Sequence, residues 1–174
     1  MNVIACIFLL LLILGGVIVC SDSAGQSVPK GSSGESSISS VDLGHVNITM
    51  LRIGSIFSFP EYYLEVHGDG KVLYRGYKNV AVKKEHVSNI SEIDTRKLID
   101  EIMRIRYFYL NQSYTGGPTD APAVKTAVTI ENKSKSVYDY LGSEAPEELR
   151  TLYEMIDNTT NSDSWVSKEP IASS

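Results

Sequence analysis

The sequence predicts an α+β domain: an antiparallel sheet of about five to six strands with two amphipathic helices packed on one face, in the order βββ(β)αββα. Three observations carry this reading. Short stretches alternate apolar and polar side chains, Gly- and Asn-containing turns separate them, and two longer stretches repeat apolar residues at helical spacing. At 174 residues, 43% apolar and 21% charged, the chain has an ordinary globular composition, and one core is the expectation.

Taken in order, Val46, Ile48 and Met50 alternate with Asn47 and Thr49, and Leu64 and Val66 alternate with Glu65 and His67, so both stretches read as strands. Gly68-Asp69-Gly70 tolerates positive φ and turns the second strand into a third at Val72, Leu73 and Tyr74. Val80 and Val82 suggest a fourth. Ser91 suits the N-cap of a helix whose Leu98, Ile102 and Ile105 fall at i, i+4 and i+7, with Arg96, Lys97, Asp100 and Arg104 on its wet face. The aromatic run Tyr107-Phe108-Tyr109-Leu110 reads as a plug at the edge of the core. Gln112 to Pro122, with Gly116, Gly117 and Pro118, reads as an irregular loop. A second hairpin is expected from Val124–Glu131 and Lys135–Leu141 around Asn132-Lys133. Pro146, Glu147 and Glu148 then open a second helix with Leu149, Leu152, Tyr153 and Ile156 on one stripe. Both stripes should meet a sheet face made by Leu64, Val66, Val72, Val128 and Ile130.

The N-terminal segment predicts export of the rest of the chain. Val3 to Cys20 carries no charged side chain, a length that fits either a secretory signal or a membrane anchor, so residues 1–20 are read as one of those two. Cys20 at the end of the run is a candidate lipidation site, although Val17, Ile18 and Val19 are bulkier than such signals favour. Residues 21–44 form a Ser- and Gly-rich tether, 45–166 the domain, and 167–174 a loose tail. Asn47, Asn89, Asn111, Asn132 and Asn158 begin Asn-x-Ser/Thr sequons, against roughly 1.4 expected from composition. The excess suits an extracytoplasmic, N-glycosylated chain; unmodified polar turns in a Ser-rich sequence are the alternative.

The stretch Tyr62-Tyr63-Leu64-Glu65-Val66-His67-Gly68-Asp69-Gly70-Lys71-Val72-Leu73-Tyr74-Arg75-Gly76, with Ile90-Ser91, Tyr114-Thr115, Thr119-Asp120, Ala145 to Leu149 and Trp165-Val166 downstream, resembles a prokaryotic exported family catalogued as domain of unknown function 6438. The resemblance covers roughly Asn47 to Val166 and implies export but no activity. Many relatives carry a Cys-Phe-Gly-x-Cys-Pro-x-Tyr segment. Here Ser55 and Phe59 stand at the two cysteine positions, so no redox, metal or disulfide role transfers.

Chemistry is mostly excluded by counting. Cys6 and Cys20 are the only cysteines, which leaves the domain without a disulfide, a cysteine nucleophile or a thiolate metal site. His45, His67 and His86 lack metal-ligand spacing, and His67 with Asp69 reads as a solvated hairpin tip. No phosphate-binding glycine loop or nucleophile elbow occurs, so no cofactor is expected. A net charge of -5 argues against nucleic acid.

Asp120, in a Gly- and Pro-restrained loop with Tyr114 six positions earlier, is expected first to organise its own loop by accepting backbone N–H bonds; binding a ligand is the alternative role. Tyr63, Tyr77, Tyr138 and Tyr140 are candidates for an exposed sheet face, where they serve either a protein or glycan partner or cross-strand stability. The reading that results is an exported, membrane-tethered, non-enzymatic interaction or structural module. The alternative is an extracytoplasmic hydrolase pairing Asp120 with another loop carboxylate or with His86.

Overall fold

The computed structural model describes residues 41–55, 59–117 and 120–167. Both cysteines, residues 21–40 of the tether and the tail after Ser167 lie outside them, while the last tether residues enter a short 3-10 turn, Leu43–His45. Strands β1 (Val46–Ile53), β2 (Glu61–His67), β3 (Lys71–Lys78) and β4 (Glu85–Asn89) precede helix α1 (Glu92–Arg104). Strands β5 (Ser113–Tyr114), β6 (Ala123–Ile130) and β7 (Lys133–Tyr140) follow, then helices α2 (Glu147–Thr160) and α3 (Asp163–Val166). All seven strands form one sheet in the order β4-β3-β2-β1-β6-β7-β5. Pairing is antiparallel except between β5 and β7.

Alternation decides which face is buried. Val46, Ile48, Met50, Leu64, Val66, Val72, Tyr74, Val124, Val128 and Val137 point to one side and are almost fully buried with Leu98, Ile99, Ile102, Leu149, Leu152 and Ile156 of the two long helices. The predicted core residues therefore share one cluster, with Ile105, just past the end of α1, partly buried at its margin. Ser91 caps α1 by accepting the Asp94 N–H at 3.1 Å. Pro146 is the residue before α2, and Glu147 and Glu148 occupy its first turn, where the helix dipole favours negative charge. At the β2–β3 turn, Gly70 takes φ 86°, and a Cβ on Gly68 would sit 1.8 Å from the Leu43 carbonyl oxygen, so both glycines are required.

Five expectations need correction. The sheet has seven strands, not five to six, and it is not wholly antiparallel. The fourth strand lies at Glu85–Asn89 and not at Val80 and Val82. Those two valines are apolar anchors of a loop, which Ala81 and Val82 fasten to the C-terminal turn through N–H bonds to the Val166 and Trp165 carbonyls at 3.2 and 2.9 Å. The extra strand, β5, falls inside the segment read as irregular; two residues are too short to show a period. The second hairpin turns at Glu131-Asn132, one residue earlier than expected, with Glu131 left-handed at φ 54°. The aromatic run divides: Tyr107 is buried and bonded to Thr126 at 2.7 Å, whereas Tyr109 is exposed.

The sheet end nearest α2 is tied by a buried charge. Arg52 donates through Nε to Asp157 Oδ2 at 2.9 Å and through Nη2 to the same oxygen. Tyr62 and Ser162 hydroxyls donate to Oδ1 at 2.7 and 2.6 Å. Burial is the largest single influence on Arg52 and would lower its pKa, but the Asp157 charge, together with Tyr62 and the hydrogen bonds to both, outweighs it and the guanidinium is held above its ordinary value. Burial likewise pushes the Tyr62 hydroxyl up. Beside this cluster, Tyr62 packs on Tyr74 with ring centroids 5.8 Å apart, and Trp165 packs on Tyr74 and on His86 at 5.1 and 4.8 Å.

Urea unfolding distinguishes the two kinds of anchor. Ile102→Ala and Leu152→Ala are each expected to cost about 2 to 5 kcal/mol as core cavities. Asp157→Ala is expected to cost about 3 to 5 kcal/mol, because it strands the Arg52 charge. A value near zero for any of the three removes that residue from its assigned role.

Candidate functional site

The helices cover one face of the sheet only. On the other face the odd-numbered residues of β1, β2, β3, β4 and β6 meet the even-numbered ones of β7. One cross-strand row runs Glu85–Arg75–Tyr63–Leu51–Lys125–Tyr138. Its side chains range from partly to fully exposed.

The centre of this face is organised by Glu65. Asn47 Nδ2 donates to its Oε1 at 2.9 Å, the Tyr63 hydroxyl donates to its Oε2 at 3.0 Å, and His67 Nε2 lies 3.4 Å from Oε1. Burial by itself would raise the Glu65 pKa. The hydrogen bonds from Asn47 and Tyr63, with the charges of His67 and Arg75, outweigh it and hold the carboxyl below 4.5. Tyr63 moves the other way: burial and then Glu65 push its hydroxyl up to about 12.

At the β1–β2 end of the same face lies a cleft of about 500 Å³. Asp120, Tyr138 and Tyr140 line it, with Glu61, Lys78 and the Gly54 backbone opposite. Three of the six residues singled out as candidates thus converge there, although β7 and the loop that bears Asp120 are separate in the chain. Asp120 is exposed and left-handed at φ 71°, a conformation aspartate tolerates better than most residues. Among the described residues no hydrogen bond or ion pair engages its carboxylate. The loop is held instead by Tyr140, whose hydroxyl accepts the Ala121 N–H at 2.8 Å, and by the Leu141 N–H bonded to the Pro122 carbonyl at 2.8 Å. Tyr138 rises from the strand beside them. Across the cleft Glu61 is 3.7 Å from Lys78, so these two charges largely offset one another and Asp120 sets the local balance.

The remaining candidates lie elsewhere. Tyr63 shares a row with Tyr138 but stands three strand spacings away, roughly 14 Å. Tyr114 sits on β5, partly buried, with its hydroxyl accepting the Asn111 N–H at 3.1 Å. Tyr77 is exposed on β3. His86 is stacked on Trp165 and does not line the cleft. Asp69 accepts the Lys71 N–H at 3.0 Å while His67 turns to Glu65, so the hairpin tip does not bring the two together. Of the sequon asparagines, Asn89, Asn111, Asn132 and Asn158 are exposed, whereas Asn47 is half-buried and bonded to Glu65. Cys20 lies outside the described residues.

Sequence reasoning missed Glu61, Lys78 and two buried carboxylates, Asp157 and Asp139. Asp139 is fully buried on β7, accepting the Ser143 hydroxyl at 2.8 Å with Arg150 Nε 3.5 Å from its other oxygen. The missed signal was phase. Arg52 follows Val46, Ile48 and Met50 at the inward parity of β1, and Asp139 follows Val137 at the inward parity of β7.

The family model described as domain of unknown function DUF6438 matches residues 47–160, from the second residue of β1 to the last of α2. The chain belongs to the DUF6438 family. No curated protein matches it. The matched segment of this DUF6438 domain holds all seven strands except the first residue of β1, and it includes Asp120, Tyr138, Glu61 and Lys78.

The Glu65 cluster has a pH signature. Because its folded-state pKa lies below 4.5, its contribution to stability is present above that value and is lost as pH falls through the lowered pKa. The stability gap between the wild type and Glu65→Gln, measured by urea unfolding, is therefore expected to be widest near about pH 6 and to shrink below about pH 4.5. A gap that stays constant across that range contradicts the assigned hydrogen bonds.

Proposed function

We propose that the chain is an exported, membrane-tethered recognition module, non-enzymatic, that binds a saccharide on the face of the sheet left bare by its helices. The observation that carries the reading is the cleft that joins Asp120, Tyr138 and Tyr140 to Glu61 and Lys78 on that face. Tyrosine offers a flat apolar surface and a polar rim at low entropic cost, which suits the mixed faces of a sugar ring. Free carboxylate and ammonium groups accept from and donate to hydroxyls. Two carboxylates against one lysine make the cleft acidic, which favours a neutral or amine-bearing saccharide over an anionic one. Export and tethering rest on the uncharged run Val3 to Cys20 and the Ser-rich segment after it.

The hydrolase reading keeps one supporting observation, the presence of Glu61 and Asp120 in one cleft. It loses His86, which is packed elsewhere.

Two measurements test the proposal. The full-length chain is expected in the membrane fraction, released when residues 1–20 are deleted; recovery of the intact chain from cytosol overturns the tether. On an immobilised glycan panel, Asp120→Asn is expected to abolish binding while changing stability by less than about 0.5 kcal/mol, since asparagine keeps the left-handed tolerance. Tyr138→Ala is expected to weaken the same binding. Binding unchanged by both substitutions overturns the site, and turnover of a bound glycan that disappears in both Asp120→Asn and Glu61→Gln replaces recognition by hydrolysis.

A further inference from the structure

The outer side of β7 is incompletely paired. In an antiparallel strand, alternate residues turn their main-chain N–H and C=O to opposite neighbours. The Tyr138 N–H donates outward to the Gln112 carbonyl at 2.9 Å, so the even-numbered residues of β7 face its outer edge and the odd-numbered ones face β6. Strand β5 occupies that edge only at Tyr138 and Asp139. Ser134 and Ser136 therefore direct their main-chain groups outward, and among the described residues no strand pairs with them there. Both are exposed. Their own hydroxyls are turned back to β6: Ser134 Oγ lies 3.1 Å from Thr129 Oγ1, and Ser136 Oγ donates to the Thr126 carbonyl at 3.1 Å. Nothing on either side chain blocks the edge.

Beside this edge is an open groove of about 550 Å³, bounded by Phe108, Gln112, Lys133 and Lys135. The two lysines share the parity of Val137 and so project from the helix-bearing side of β7, which is also the side of Phe108. Neither lysine has an ion-pair partner among the described residues. In a chain of net charge -5, two unpaired cations two residues apart beside free main-chain groups form a local exception.

We infer that the β7 edge at Ser134 and Ser136 accepts a short extended segment of an acidic partner protein, added to the sheet as a further strand. Main-chain pairing supplies the attachment, as in other strand-addition complexes, and alternate side chains supply the selectivity. The segment it fits carries carboxylates at alternate positions, facing Lys133 and Lys135, and uncharged β-branched residues between them, facing the serines. A second copy of the same edge is disfavoured, because antiparallel self-pairing would set lysine against lysine. Lysines also guard exposed edges against non-specific pairing. A guard alone binds no strand of either sign, whereas a docking edge binds the acidic one. This surface is distinct from the Asp120 cleft and does not depend on saccharide binding.

The test uses the detergent-solubilised full-length chain and two dye-labelled probes, acetyl-TEVEVET-amide and its counterpart with lysine in place of glutamate, read by fluorescence anisotropy. The acidic probe is expected to bind, with affinity falling as salt rises, and the basic probe is not. Ser136→Pro, which removes one outward N–H, is expected to weaken binding about tenfold. The double variant Lys133→Glu with Lys135→Glu, the first exposed, the second half-buried and neither ion-paired among the described residues, is expected to keep the wild-type circular-dichroism spectrum, to lose the acidic probe and to gain the basic one. Asp120→Asn is expected to leave the acidic probe's binding unchanged. Failure of the acidic probe to bind the wild type, or binding indifferent to both β7 variants, overturns the inference whatever the outcome for saccharides.

Discussion

Strand β1 imposes the constraint on which the rest of the structure depends. It lies between β2 and β6 and is the only link between the two halves of the sheet, and its alternation sends Val46, Ile48 and Met50 to the helices and Asn47, Thr49 and Leu51 to the opposite face. A one-residue slip against either neighbour would exchange the two sets, placing Asn47 in the core and three large apolar side chains in water. Both pairings therefore have to be held in register. The β2–β3 turn helps: Gly68 lies against the Leu43 carbonyl just before β1 begins, and its N–H bonds the Val46 carbonyl at 2.9 Å.

The same register brings Arg52 inward, and α2 answers it with Asp157. A buried ion pair contributes little net stability once desolvation is counted, yet removing either partner is costly. Its effect is to fix where the end of β1 meets the C-terminal part of α2, since only one arrangement satisfies Arg52, Tyr62 and Ser162 on the two oxygens of a single carboxylate. That placement orients the chain into α3, and Trp165 then closes the core against Tyr74 and His86. The core under the two long helices is closed at this end as a result. No described helix packs on the other face.

Much of this was legible in the sequence because burial on one face leaves a periodic trace. Leu64, Val66 and Val72, Val128 and Ile130, and the stripes of α1 and α2 all carried it, and all belong to one core. Features without a period were hidden. Strand β5 has two residues; Val80 and Val82 imitate alternation while anchoring a loop; and the buried charges sit at inward positions where polarity suggests solvent. The candidate site was partly legible. Asp120, Tyr138 and Tyr140 were recognisable one by one from loop restraint and aromatic content, but Glu61 and Lys78 join them through the register irregularity between β2 and β3, which leaves no mark in composition.

The central claim is that one face of the sheet is bare and available. Adjacent residues of β6 test it directly, because Val124 is buried in the core while Lys125 projects from the open face. With Cys6 and Cys20 replaced by serine, a single cysteine at either position can be probed by the rate of thiol alkylation in the native full-length protein. The account predicts that Lys125→Cys reacts close to the rate of the unfolded chain and that Val124→Cys is protected until global unfolding. Equal protection at the two positions would mean that the second face is covered, and would contradict the account.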